Sequence, residues 1–200
     1  GPHGNVRLTV MYTIHARVQG HRLSLLIHET DLFVPNLMSW FSAAQMHVVP
    51  GETFCDVGVG SGLHAILDAK LGARRAYGTD INPIALRFAR INARLNGVGR
   101  HCRFFEGSLV EPLVERGIRV EAMIYNAPQF PGRMLDPSLP ARLRRSVDGG
   151  PEGGDLNARF IRQAGRALKP DGRIYNPIVA WACPSVSHRA IRDGGYKAYE

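Results

Sequence analysis

Apolar residues fall on every second position near the start of the chain: Val6, Leu8, Val10, Tyr12, Ile14, Ala16 and Val18. That period of two predicts a half-buried strand. Gln19 and Gly20 can turn the chain, and residues 23–27 supply a return partner, so a hairpin is expected. Pro35 and Asn36 then precede an apolar segment, 37–46, that reads as a helix ending before Pro50. From Thr53 onward short apolar runs at 53–57, 76–79, 102–106, 122–125 and 173–179 alternate with helical stretches. This alternation predicts a mostly parallel α/β sheet covered by helices on both faces. The clearest helix follows the second run: Asn82 caps it and Pro83 fits its first position. Ile84, Phe88, Ile91 and Leu95 form its apolar face, and Asn96-Gly97 ends it. A later helix over 156–168 ends at Lys169-Pro170-Asp171-Gly172, a turn leading into the fifth strand.

Composition narrows the class. The chain has 200 residues, 44% hydrophobic and 21% charged, enough for one domain with its own core. Cys55, Cys102 and Cys183 form no C-x-x-C pair, which argues against a disulfide framework or a zinc site and for a reducing, cytoplasmic setting. No run approaches the roughly 18 apolar residues of a membrane span, and no signal-peptide pattern is seen. Gly1-Pro2-His3 reads as a cleavage scar. Net charge is +8, from 25 Lys plus Arg against 17 Asp plus Glu, which suits an anionic partner but speaks to association and not to fold.

The first strand of the alternating region runs into Asp56-Val57-Gly58-Val59-Gly60-Ser61-Gly62, followed by a helix through residues 64–70. Glycines there let the backbone turn tightly and approach a ligand closely. A dinucleotide fingerprint would need glycine where Leu63 stands, so a dehydrogenase is disfavoured. Asp80 ends the second strand, where a carboxylate can accept both hydroxyls of a ribose. With these residues the sequence resembles the class I S-adenosylmethionine-dependent methyltransferases. The resemblance implies their Rossmann-like fold and their cofactor, S-adenosyl-L-methionine. It implies that Asp56, Gly58, Gly60 and Gly62 form the cofactor loop, that Asp80 holds the ribose, and that Ile81 packs on the adenine. Ser108 and Leu109 follow the third strand, and Ser108 stands where the family commonly has an acid. The family's sheet closes with an antiparallel pair, for which the residues before Glu200 offer only one start, so those strands are expected to be incomplete or replaced.

Tyr125-Asn126-Ala127-Pro128-Gln129 closes the fourth strand. It resembles a variant of the Asn-Pro-Pro-Tyr motif of the HemK-type N-methyltransferases, as do Gly107-Ser108-Leu109 with Glu111-Pro112-Leu113, and 147–153. The resemblance implies that Asn126 is the catalytic residue: its side-chain oxygen and the carbonyl of Ala127 accept hydrogen bonds from the acceptor nitrogen. Ala127, Pro128, Gln129 and Phe130 would complete the acceptor site. Gln129 replaces an aromatic residue that would stack on a flat base, a contact worth roughly 1–3 kcal/mol, which counts against a flipped nucleobase.

The chain is accordingly divided into an N-terminal hairpin appendage, 1–35, and a catalytic domain, 36–200. The leading expectation is methyl transfer to an amide or amine nitrogen of a protein, peptide or small molecule, with no metal and no membrane. An exocyclic amine of RNA or DNA, or a module that binds the cofactor without catalysis, are the alternatives. His47, His64 and His101 have no carboxylate at recognisable spacing and are expected to be core or solvated histidines. Arg74-Arg75 and Arg142, Arg144 and Arg145 suit phosphates or, more simply, a solvated face, while Trp181 follows the fifth strand at its functional edge.

Overall fold

The computed structural model describes residues 10–28, 32 and 34–198. Val6, Leu8 and the Gly1-Pro2-His3 segment lie outside them. Strands β1 (Met11–Val18) and β2 (His21–His28) pair antiparallel, with Val18 opposite His21, so Gln19-Gly20 is a two-residue turn. Both turn residues have positive φ, 48° and 82°, as a hairpin of the right-handed twist demands.

The central sheet has five strands, all parallel: β3 (Thr53–Val57), β4 (Arg75–Asp80), β5 (Cys102–Glu106), β6 (Val120–Tyr125) and β7 (Leu168–Tyr175). Their spatial order is β5-β4-β3-β6-β7. Side chains alternate between two cores. Phe54, Ala122 and Ile124 face a layer of α1 (Leu37–Gln45), α2 (Leu63–Lys70) and α3 (Pro83–Leu95), with the inward residues Leu23, Leu25 and Ile27 of β2 in the same core. Cys55, Val57, Met123 and Tyr125 face the opposite layer, built from α4 (Glu111–Val114), α6 (Asp155–Ala164) and α7 (Pro184–Asp193). Both faces are covered, which is why these strands read as continuous apolar runs. A further helix, α5 (Ala141–Val147), lies in the long connection after β6. Among the described residues no helix is long and apolar enough to cross a membrane, and no antiparallel strand joins the five-stranded sheet.

Two expectations need correction. The fifth strand is β7, at 168–175 and not 173–179. Its register jumps from Val120↔Leu168 to Ala122↔Arg173, so the predicted Lys169–Gly172 turn is a bulge inside the strand, with Asp171 at φ 59°. The bulge is tied down by Lys169, which pairs with Glu121, itself an acceptor for the backbone N–H and hydroxyl of Thr53. Beyond Tyr175 the chain leaves the sheet: the Asn176 side chain donates to the Tyr125 carbonyl of β6, and Gln129 bonds Pro177 O and Val179 N–H. Helix α6 correspondingly stops at Ala164.

The apolar face expected for α3 holds only in part, with Phe88 buried. Ile84 and Leu95 are exposed, and the buried face is Ala85, Leu86, Phe88, Ala89, Asn92 and Ala93. Polar Asn92 turns inward because β2 needs it. Its carboxamide accepts from Leu26 N–H (2.7 Å) and donates to Leu26 C=O (3.1 Å), while Asn96 does the same for Ser24 at 3.0 and 2.7 Å. Two side chains four apart on a helix rise about 6 Å, close to the roughly 6.6–6.8 Å between alternate residues of a strand. The asparagines therefore stand in for a neighbouring strand at the hairpin's edge.

Candidate functional site

Strand order reverses between β3 and β6, and the loops leaving their carboxyl ends diverge there. A cavity of about 750 Å³ opens at that point. Gly58, Gly60, Asp80, Ile81, Ser108, Leu109, Asn126, Ala127, Pro128, Gln129 and Phe130 all line it. Asp56 and Gly62 do not.

The glycine loop shows why. At Gly60, φ +50°, an added Cβ would meet nothing nearer than Gly58 O at 4.0 Å, so the space above it belongs to the cavity. At Gly62, φ +89°, a Cβ would press on Ile66 and Ala89 at 3.1–3.3 Å, so this glycine allows α2 and α3 to close on one another. Asp56 lies beneath the loop, 1% exposed, where its carboxylate accepts from Ala65 N–H at 3.3 Å. Burial raises its pKa, opposed by hydrogen bonding and charge at His64. Asp56 thus anchors the start of α2 rather than facing a cofactor.

Asp80 is placed differently. Its two oxygens accept from Gly60 N–H and Asn82 N–H, both at 2.9 Å. Desolvation raises its pKa and these bonds oppose the rise. A carboxylate offers about four lone-pair directions, so acceptor capacity remains for a ligand's hydroxyl. Ile81, 60% exposed, provides an apolar surface next to it. Leu109 is held at φ 49° with its carbonyl accepting from Thr79 Oγ1 at 2.7 Å. Ser108 Oγ accepts from Arg159 at 3.0 Å, which leaves its proton to donate. A glycine cradle, a carboxylate with free acceptor capacity and an apolar platform fit the parts of S-adenosylmethionine.

On the other side of the cavity Asn126 donates from Nδ2 to Ser39 Oγ at 3.0 Å. Among the described residues its Oδ1 makes no hydrogen bond. Gln129 is 8% exposed and its amide is committed: Nε2 donates to Pro177 O at 2.7 Å, and Oε1 accepts from Val179 N–H at 3.0 Å. It braces the loop instead of offering polar groups to a substrate. Phe130 exchanges backbone bonds with Val147 and Gly149, which folds the 147–153 segment against the motif. There a Cβ on Gly153 would come within 2.7 Å of Gln129 O. Trp181, 65% exposed, and Arg145 reach the cavity's rim; the side chain of Arg142 lies outside the described residues.

Several contributors escaped the sequence. Leu32, Asn36, Leu37 and Met38 line the cavity although nothing in their pattern marks them. Ser39 contacts Asn126 across 87 positions of sequence. His64, expected to lack a carboxylate, has Nδ1 3.7 Å from Asp56 Oδ1 and Nε2 3.1 Å from Ser39 O. A separation of eight residues from strand to helix is not a spacing that announces a pair.

Comparison with known proteins finds methyltransferases. Residues 38–120 match the family model of ribosomal protein L11 methyltransferase (PrmA). The chain is 35% identical over 150 residues to release factor glutamine methyltransferase of Moorella thermoacetica, covering 72% of this chain and 52% of that protein. It thus spans about half the length of that curated relative. Among solved structures, a ribosomal protein L11 methylase from Lactobacillus delbrueckii subsp. bulgaricus superposes with TM-score 0.56 at 23% identity, over 78% of this chain and 66% of the other. A candidate methyltransferase solved in complex with SAH superposes at 0.62 and 12% identity, over 94% and 47%.

Proposed function

Given that the chain carries a class I S-adenosylmethionine-dependent methyltransferase domain similar to the HemK-type enzymes, we propose that it methylates a side-chain amide nitrogen of a protein, with glutamine as the acceptor residue. Bound S-adenosylmethionine supplies the electrophilic methyl group. Gly58 and Gly60 would admit its amino-acid end, Asp80 would accept the ribose hydroxyls, Ile81 and Leu109 would cover the adenine, and the Ser108 hydroxyl would have its proton free to donate to it.

The observation that carries the reading is the free oxygen of Asn126 at the cavity wall. An amide nitrogen is a weak nucleophile because its lone pair is delocalised into the carbonyl. Asn126 Oδ1 and the Ala127 carbonyl accept its two N–H bonds, which orients the nitrogen and favours the positive charge that develops on it. The contribution is one of position and preset dipoles, and Gln129 sustains it by fixing the loop. The relatives named for release factor and for L11 both have protein acceptors in their names, which supports a protein here.

Labelled methyl donor, this protein and a purified bacterial release factor test the reading. Label is expected on glutamine, Asn126→Ala is expected to lower transfer at least about 100-fold with cofactor binding intact, and Asp80→Ala to weaken binding of the demethylated cofactor at least about tenfold. Calorimetry that detects no binding of cofactor or product to the wild-type protein would sink it. An exocyclic amine of RNA is the second reading, favoured by the +8 charge and by exposed Trp181 at the rim; it requires label that nuclease releases.

A further inference from the structure

We propose that Ser39 is a positioning residue that fixes which end of the Asn126 carboxamide meets the acceptor nitrogen, a role that rests on the reading of Asn126 given above. A serine hydroxyl has one proton and two lone pairs. In Ser39 all three are assigned. The proton goes to Asn36 Oδ1 at 3.2 Å, and one lone pair takes the backbone N–H of Asn36 at 3.3 Å, the reciprocal cap of α1. The remaining lone pair takes Asn126 Nδ2 at 3.0 Å.

That arithmetic decides the amide's orientation. Turned by half, Asn126 would bring its oxygen against a hydroxyl oxygen with no proton left to give, and two lone pairs would face each other. Ser39 is only 4% exposed, so water has little access to bridge the pair. The amide therefore keeps its NH2 on Ser39 and its oxygen free, which is the end an amide N–H donor needs. Ser39 is itself held from the other side, its carbonyl 3.1 Å from His64 Nε2 and the far ring nitrogen facing Asp56. A chain of contacts thus runs from the acid beneath the cofactor loop, through α2 and α1, to the proposed catalytic amide.

The test uses Ser39→Ala, Ser39→Thr and Asn36→Ala in the full chain. The side-chain NH2 resonances of Asn126, identified by their loss in Asn126→Ala, are followed in isotope-labelled protein. Ser39→Ala is expected to speed their exchange with water at least about tenfold, while Ser39→Thr preserves them. With release factor as acceptor, Ser39→Ala is expected to lower kcat about 10- to 100-fold with the KM for the methyl donor unchanged, the cost of a misdirected group. Ser39→Thr should restore most of the rate. Asn36→Ala frees the serine proton to face Asn126 Oδ1, so kcat should fall although Ser39 remains. A helix-capping role alone would lower the melting temperature and leave the NH2 signals and the ratio of kcat to KM in place; that outcome overturns the proposal. Unchanged signals in Ser39→Ala overturn it without any acceptor, whereas an Asn126→Ala variant as active as wild type overturns the functional reading beneath it.

Discussion

Asp68 has no exposed surface, and among the described residues neither of its carboxylate oxygens has a hydrogen-bond partner. Desolvation, reinforced by Glu52 and Asp56, pushes its pKa up to about 9. The folded protein therefore keeps a proton at neutral pH that the unfolded chain releases near its ordinary value of 3.8. Between those values the native state binds more protons than the unfolded one, so stability falls as pH rises, by about 1.4 kcal/mol per unit for one proton. Asp68→Asn removes the titration. Its melting temperature relative to wild type should rise steadily from pH 5 to pH 8, and a constant difference across that range would contradict the account. Residue identity alone gave no sign of this, because Asp68 sits in a helix whose other residues are read as ordinary. Asp80 and Asn126 were legible as positions at the cavity, since Asp80 ends β4 and Asn126 directly follows β6 within a motif. Asp56 was legible as important but not as buried, and only the packing of His64 above it settled that it holds the loop from below.

Element by element, the strands β3, β4, β5 and β6 and the cap at Asn82 followed from period and composition, whereas the cap at Asn36 came only from the structure. Helix α3 is where the pattern misled. Its hydrophobic residues suggested one face, but the hairpin's unpaired backbone outweighed them and drew Asn92 and Asn96 inward. Asn92 also donates to Ser61 O at 2.9 Å, so one amide joins the hairpin, the helix and the cofactor loop. Asn92→Ala leaves Leu26 N–H, Leu26 C=O and Ser61 C=O without that partner, a loss of about 2–3 kcal/mol. Denaturant unfolding should register it, and exchange at the Leu26 amide should speed up more than exchange in β3. The bulge in β7 was foreshadowed by Pro170-Asp171-Gly172, yet a turn sequence does not say whether the strand resumes on the same partner.

For the whole molecule, the +8 charge is largely set apart from the chemistry: among the described residues, Asp80 and Arg145 are the only charged ones that line the cavity. Cofactor affinity should therefore change by less than about threefold between roughly 50 and 300 mM salt, whereas any association with nucleic acid should collapse over the same range. Calorimetry and a filter-binding assay separate the two, and a steep salt dependence of cofactor binding would count against this division. By itself the sequence determined the local and the repetitive: strand and helix order, the glycine loop, Asp80 at a strand end and Asn126 in its motif, because backbone geometry and short-range spacing impose those. Only the tertiary structure decided which polar groups lost water and found partners far along the chain. Ser39 against Asn126, His64 against Asp56 and Asn92 against the hairpin are set by the close packing of separate elements, and a buried donor or acceptor takes whatever partner that packing brings within reach.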